Sequence, residues 1–324
     1  RHPAARQHGH VRSLDPHAVA LSEPFHPPMS VRRGAALSTS STLGFAETAD
    51  VGPTAGNGFY RRWPDDLAAL QDVGATDVRL TIDWARLQPK PDTFDDDWAE
   101  RFEQMIAAAS AIDLRVWATL HDGSIPKWLD NEGGLADDEA ITRWWPRWVE
   151  RAAERFGDLV GGWVPFAAVP AGMAEQPWRD TWGILGGGAA PVVATVDPAH
   201  TPADGFTGLT SALGLVLPID WDRADDLGPR DLDRAAARWG DVVRDAAEVV
   251  DVPIVVSGFC PTHDDPETAA QVVEHLVAAL DGALGDGVAV ELCFLEPAIS
   301  SPDSPSGLLD TDRVPTPAGL AFLA

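Results

Sequence analysis

Cysteine, tyrosine and lysine are scarce in this sequence of 324 residues. It contains 2 cysteines and 1 tyrosine, and its two lysines, Lys90 and Lys127, accompany 22 arginines. Two cysteines cannot build a disulfide framework or supply all the ligands of a structural zinc site. No apolar run approaches the length of about 18 residues that a membrane-spanning helix needs, and the N-terminus has no apolar segment typical of secretory signals. We therefore expect a cytoplasmic protein.

Basic residues are also few relative to acidic ones. The 24 lysines and arginines face 50 aspartates and glutamates, which gives a formal net charge of −26. Such a surface repels the phosphates of nucleic acids and the anionic headgroups of membranes, so we expect neither as a partner. The hydrophobic fraction of 45% is enough for a sizeable core and excludes global disorder.

Residues 1–28 differ in composition from the rest of the chain. They hold five of the nine histidines and show neither helical nor strand periodicity. A histidine-rich tract can bind metal, but the spacing here matches no familiar ligand pattern. We expect a disordered tail at residues 1–28 and a single domain at residues 29–324.

From residue 34 onward, short apolar runs alternate with amphipathic stretches that have apolar residues at helical spacing. The predicted strands are 35–40, 78–82, 115–120, 162–167, 192–196, 213–217, 254–257 and 288–295, and the predicted helices are 64–73, 96–111, 137–156, 230–249 and 266–284. Repeated alternation predicts a parallel sheet with right-handed crossovers. About eight such units favour an α/β fold of the closed (β/α)₈ (TIM) barrel type. No helix is evident between the fourth and fifth strands, and residues 198–208 are typical of a loop.

The ends of these strands supply the candidate site residues, because barrels of this type place their chemistry at the carboxyl ends of the strands. Near the end of the second strand lie Arg79, Asp83 and Trp84. The third strand ends at His121 and Asp122, the fourth contains Trp163, and the eighth ends at Glu296.

Several of these segments resemble the family 1 glycoside hydrolases, the β-glucosidases and their relatives. The similarity is close over residues 34–170 and looser beyond them. It rests on residues 34–41, 63–74, 78–89 (VRLTIDWARLQP), 119–129 (TLHDGSIPKWL), 156–163 and 307–317. The resemblance implies a (β/α)₈ barrel that acts on O-glycosyl bonds in carbohydrate metabolism.

The positions that the resemblance assigns to catalysis carry no carboxylate here. Retaining glycosidases use two carboxyl groups about 5–5.5 Å apart, one as acid/base and one as nucleophile. Aligned on Trp163, the acid/base position after strand 4 is Ala168, and the nucleophile position on strand 7 is Gly258. Arg79 matches the arginine that pairs with the nucleophile in the family.

The first hypothesis is therefore a catalytically inactive pseudo-glycosidase that binds a carbohydrate-like or other small ligand, or a protein partner. A barrel can keep its core while its mouth changes, because the two use different residues. The residues predicted to line the ligand site are Arg79, Asp83, Trp84, His121 and Trp163.

The second hypothesis is an active glycosidase with a relocated carboxylate pair, Asp122 and Glu296. Placed across the mouth, these side chains could suit an inverting geometry, in which the carboxyls lie about 6.5–9.5 Å apart. A simpler interpretation is that Asp122 forms an ion pair with Arg79, replacing the lost glutamate.

Neither a metal nor a cofactor is expected. A third alternative is a metal site formed by His121, Asp122 and Glu296, with His263 and Asp264 as further candidates. These residues lack the spacing of familiar metal sites. Cys260 and Cys293 are expected to be buried apolar side chains, because nothing in their sequence context activates a thiol.

Overall fold

The computed structural model describes residues 30–43, 56–167, 175–200, 203–219, 227–261, 263–301 and 304–324. The predicted tail at residues 1–28 lies outside this part of the chain. The disorder of the tail and the domain boundary at residue 29 stay predictions.

Within the described residues, eight parallel strands form one sheet in the order β4-β3-β2-β1-β8-β7-β6-β5. They are β1 Arg32–Leu37, β2 Asp77–Thr81, β3 Arg115–His121, β4 Gly162–Phe166, β5 Val193–Val196, β6 Ala212–Leu215, β7 Ile254–Phe259 and β8 Val290–Leu295. The two edge strands meet where Trp163 forms a parallel bridge with Val192, and the Trp163 N–H donates to the carbonyl of Pro191 at 2.8 Å. The sheet is therefore a nearly closed barrel, which confirms the predicted (β/α)₈ fold.

Helices surround this barrel. They are α1 Thr39–Leu43, α2 Phe59–Asp72, α3 Trp84–Leu87, α4 Asp96–Ala111, α5 Lys127–Asp130, α6 Asp138–Phe156, α7 Glu175–Leu185, α8 Pro229–Val249, α9 Pro266–Gly285 and α10 Pro317–Leu323. Aspartate side chains cap the N-termini of α3, α4, α6 and α9. Asp95 accepts a hydrogen bond from the Trp98 N–H at 3.0 Å, and Asp137 accepts one from the Ala140 N–H at 2.8 Å. Such caps satisfy amide groups that the first helical turn leaves unpaired.

The predicted start of α2 at Pro64 is wrong. The helix begins at Phe59, with Pro64 inside it. Phe59 and Tyr60 are 0% and 1% exposed, so their burial against the core stabilises a first turn that a proline signal alone cannot reveal.

Helix α7 was not predicted, and neither were the shorter helices α1, α3, α5 and α10. Helix α7 lies between β4 and β5 and buries Trp178 and Leu185. Its pattern is weak because it has only 11 residues and runs into the glycines at 186–188. In the predicted loop 198–208, Ala203–Phe206 form a single 3₁₀ turn.

The inside of the barrel holds a buried cluster drawn from seven strands. Its members are Ala36, Trp117, Val164, Val193, Ala212, Val255, Leu292 and Phe294. Strand β2 contributes none of them. Because side chains alternate between the two faces of a strand, β2 instead directs Asp77, Arg79 and Thr81 to one face, and Asp77 contacts Trp117 of the cluster at 2.7 Å. Because the mouth is at the carboxyl ends of the strands, Thr81 lies nearest to it on this polar face of β2 and Asp77 lies farthest from it.

In the part of the chain that the structure describes, no helix is both long and apolar enough to cross a bilayer.

Candidate ligand site at the barrel mouth

An ion pair between strands β2 and β8 forms the centre of the mouth. The Arg79 guanidinium donates to Oε2 of Glu296 at 2.7 Å and also donates to the carbonyl of Ser257 on β7. The Arg79 side chain is 2% exposed, whereas that of Glu296 is 25% exposed. A buried cation thus holds a carboxylate that remains accessible from the mouth.

Gly258 leaves the space that this carboxylate occupies. A Cβ atom on Gly258 would lie 2.7 Å from Oε2 of Glu296 and 3.0 Å from a terminal nitrogen of Arg79. The carboxylate of β8 therefore fills the volume into which a side chain at residue 258 of β7 would project.

The expected ion pair between Asp122 and Arg79 is wrong, because Arg79 pairs with Glu296. Oδ2 of Asp122 instead accepts hydrogen bonds from the Thr39 N–H and from the Thr81 hydroxyl, each at 2.6 Å. These hydrogen bonds join the end of β3, where Asp122 lies, to β2 and to the start of α1. They hold the rim of the mouth in place.

Three polar atoms of the residues described above are buried without a hydrogen-bond partner among the described residues. They are Oδ1 of Asp122, Nε of Arg79 and the hydroxyl oxygen of Thr39. Buried polar groups are normally paired, so these atoms mark where a polar group of a ligand or an ordered water can bind.

Asp83 and Trp84 lie at the start of helix α3. Asp83 caps helix α3 by accepting from the Ala85 N–H at 3.0 Å, and it pairs with Arg86 at 3.1 Å. Burial raises the pKa of the Asp83 carboxyl, while Arg86 opposes that shift. The Trp84 ring stacks on Trp148 with centroids 5.4 Å apart.

The two predicted tryptophan ligands are both core residues. Trp84 is 1% and Trp163 is 2% exposed, so both rings are packed inside the protein. Contact of either ring with a sugar stays a prediction.

His121 lies beside Asp122 and is held by the carbonyl of Ser124, 3.3 Å from Nδ1. Burial lowers the pKa of the His121 imidazole below its ordinary value of 6.5, although the charge of Asp122 acts in the opposite direction. The neutral imidazole is thereby favoured at the rim.

This shift predicts a loss of stability in mild acid. Below pH 6.5 the unfolded chain binds a proton at His121 that the folded chain resists, so the free energy of unfolding falls as pH drops. The slope from this group is at most about 1.4 kcal/mol per pH unit and ends at the folded pKa. Urea unfolding of wild type and His121→Asn between about pH 5 and pH 7.5 should show a shallower slope in the variant. Parallel curves would contradict the assignment.

The described residues contain no group of three or more His, Cys, Asp or Glu side chains that could hold a metal ion. Cys293 is buried, as expected, and its burial raises the pKa of its thiol to about 12. The expected burial of Cys260 is wrong, because this residue is partly exposed after β7, with its sulfur 3.9 Å from the Ser304 hydroxyl.

Comparison with known proteins shows which family this barrel resembles. The model of glycosyl hydrolase family 1 matches residues 44–178. A 1,4-beta-D-glucan glucohydrolase of Thermotoga neapolitana is 25% identical over 140 residues, which cover 43% of this chain and 31% of that protein. The beta-glucosidase A of Thermotoga maritima is also 25% identical over 140 residues, covering 43% of this chain and 29% of that protein. Over these residues the chain resembles glycosyl hydrolase family 1.

Solved structures extend the likeness of this family 1-like barrel to nearly the whole chain at the level of the fold. A beta-glycosidase from Pyrococcus horikoshii superimposes with a TM-score of 0.71 at 14% identity, covering 92% of this chain and 94% of that chain. The apo structure of beta-glucosidase 1317 gives 0.66 at 18% identity, with coverage of 85% and 90%. By sequence, however, this chain aligns with less than a third of the length of each curated relative described above.

The position of Ala168, assigned by resemblance to the acid/base, lies outside the described residues. Sequence reasoning found Arg79 and Glu296 separately in this family 1-like protein but missed that they pair. It also missed Thr39 and Thr81 as the partners of Asp122. One signal was available: strands β7 and β8 are neighbours, so a glycine ending one strand leaves room for a long side chain ending the other.

Proposed function

We propose that this protein binds a carbohydrate-like ligand at the barrel mouth and does not hydrolyse glycosides by the double displacement of family 1. The observation that carries the proposal is the arrangement at the ends of β7 and β8. Gly258 has no side chain there, and Glu296 pairs with Arg79 in the space that it leaves. Two suitably spaced carboxyls are the requirement for the family's reaction. Residues 162–174, which include the expected acid/base position, contain no aspartate or glutamate.

Sugar recognition is supported by the polar groups that converge on the mouth. Glu296 presents a partly exposed carboxylate, and carboxylates accept strong hydrogen bonds from hydroxyl groups. Oδ1 of Asp122 and Nε of Arg79 lack partners among the described residues. Relatives named as beta-glucosidases make a sugar the first ligand class to test.

The alternative is an active glycosidase that uses Asp122 and Glu296 as a relocated pair. The free Oδ1 of Asp122 favours it, because an unpaired oxygen could exchange a proton with a ligand. Its other oxygen is held by two donors at 2.6 Å, which argues for a positioning role. We therefore prefer binding without hydrolysis.

The test combines thermal shift and turnover with disaccharides and alkyl β-glycosides of several sugars, whose leaving oxygen needs a proton. A ligand at 100 times its Kd should stabilise the protein by about 2.7 kcal/mol, with no sugar released. Glu296→Gln should weaken binding by about 10-fold or more, since a charged hydrogen-bond acceptor is lost. Glu291→Gln is the matched control, because Glu291 lies on β8 with 33% exposure of its side chain.

The outcomes separate the hypotheses. Turnover that disappears in Asp122→Asn/Glu296→Gln would establish the relocated pair and overturn the binding proposal. Absence of any response to sugars would leave a protein partner as the function of this face. The cytoplasmic location stays a prediction.

A further inference from the structure

The carboxylates of the mouth are not equally balanced by cations. Arg79 pairs with Glu296 at 2.7 Å, and Arg86 pairs with Asp83 at 3.1 Å. Asp122 has no arginine or lysine as a partner in the part of the chain that the structure describes. Its carboxylate therefore differs from the other two in lacking a cation.

Neutral groups hold Asp122 instead. Its Oδ2 accepts hydrogen bonds from the Thr39 N–H and the Thr81 hydroxyl, each at 2.6 Å. The neighbouring His121 does not supply the missing charge, because burial lowers the pKa of its imidazole although the charge of Asp122 acts in the opposite direction. A negative charge thus remains at the rim of the mouth without a counterion among these residues.

Two oxygen atoms beside this charge are buried and unpaired among the described residues. They are Oδ1 of Asp122 and the hydroxyl oxygen of Thr39, a residue that is 7% exposed. The two side chains are adjacent, because the Thr39 N–H binds the same carboxylate and a threonine hydroxyl is only three bonds from its own backbone nitrogen. Buried polar atoms are normally paired, so this part of the rim needs a group that donates more than one hydrogen bond.

We propose that the ligand of this mouth is a sugar with a protonated amino group, and that Asp122 and Thr39 bind that group. An ammonium group has three donors and no acceptor, so it can pair with both oxygen atoms and also supply the missing positive charge. A sugar hydroxyl at the same place brings one donor and no charge, and hydrogen bonds between ions are stronger than neutral ones. The inference rests on the proposed function, since a sugar must bind at this mouth.

The charge around the mouth favours the same class of ligand. The chain has a net charge of −26, and a cleft with an excess of one sign of charge attracts ligands of the other sign. Arg79 does not reverse this preference, because Glu296 and the Ser257 carbonyl already bind its guanidinium. A sugar with a carboxylate would meet Asp122 without a counterion, so we expect acidic sugars to bind less tightly than neutral ones.

The experiment measures binding to the full chain by titration calorimetry at a pH of about 6.5, below the range of about 7.7–8.0 in which α-amino groups titrate. The ligands are methyl β-glycosides of glucose, galactose and mannose with an amino group on carbon 2, 3, 4 or 6. The parent glycosides and the N-acetylated compounds are the uncharged references, and methyl β-glucuronide is the acidic one. We expect at least one amino sugar to bind about 10-fold or more tightly than both of its uncharged references.

Three variants assign the preference to this part of the rim, and thermal unfolding checks that each is folded. In Asp122→Asn the amide oxygen can still accept from Thr39 and Thr81 while an NH₂ group replaces Oδ1, so neutral sugars should still bind and the preference for the amino group should disappear. Thr39→Val keeps the backbone N–H but removes the hydroxyl, and should reduce the preference by about 2- to 10-fold. Glu291→Gln removes one negative charge from a side chain of β8 that is 33% exposed, and should leave the preference unchanged.

The failures are distinguishable. Neutral sugars that bind as tightly as amino sugars, or an acidic sugar that binds more tightly than either, would overturn this inference and leave the proposed function intact. A preference that persists in folded Asp122→Asn, or that Glu291→Gln weakens equally, would also overturn it. If Asp122→Asn does not fold, an undiminished preference in Thr39→Val decides against the inference in its place. Absence of binding by every sugar would overturn the sugar-binding function as well.

Discussion

Replacing Arg313 by methionine should lower the free energy of unfolding by about 3–5 kcal/mol. Arg313 holds Asp66 of α2 with two hydrogen bonds of 2.8 and 2.9 Å. The Asp66 side chain is 0% exposed, so its charge would stay buried without its main partner. Arg313 also donates to the carbonyls of Asn57 and Thr311, and these contacts would be lost as well. The pair thus joins the C-terminal segment to the first long helix of the barrel.

The effect should depend on burial and not on the mere presence of an ion pair. The pair between Arg244 and Asp286 is similar in length, at 2.8 Å, but its side chains are 39% and 60% exposed. Arg244→Met should cost no more than about 1 kcal/mol. Urea unfolding of the two variants gives the comparison directly. Equal losses would contradict the role assigned to Asp66 burial.

Most of the barrel could be predicted because helix caps, the spacing of apolar residues and short apolar runs all indicate the same helices and strands. Helix α4 matches its predicted bounds, 96–111, because Asp95 caps it and its buried residues recur at helical spacing. Strand positions were confirmed to within a few residues, since both faces of a parallel strand are buried and produce a continuous apolar run.

The site could not be predicted to the same extent, because its contacts join distant parts of the chain. Arg79 and Glu296 are 217 residues apart, and Asp122 is 83 residues from Thr39. Sequence patterns locate each residue at a strand end but do not decide which of two carboxylates reaches the arginine. That choice depends on the missing side chain of Gly258 and on the register between β7 and β8.

Strand β2 carries a residue that serves stability and a residue that serves ligand recognition at different depths of the barrel. Its residues Asp77 and Arg79 both serve the inside of the barrel, with Asp77 deeper and Arg79 at the mouth. Oδ1 of Asp77 accepts hydrogen bonds from Arg32 at 2.6 Å and from the Trp117 indole at 2.7 Å. The Asp77 side chain is 1% exposed. Residues at the amino-terminal end of barrel strands serve stability, while those at the carboxyl end serve chemistry.

Asp77→Ala should therefore cost about 1–3 kcal/mol of unfolding free energy and leave ligand recognition intact. The substitution strands the Trp117 indole N–H inside the barrel and removes the acceptor of Arg32, but it touches neither Arg79 nor Glu296. Urea unfolding measures the first effect. The second is the change in Tm that a saturating sugar produces, corrected for the lower starting stability, which should match the wild type. A lost sugar response in a variant that is still folded would show that the lower barrel also shapes the mouth, and that the division along β2 is wrong.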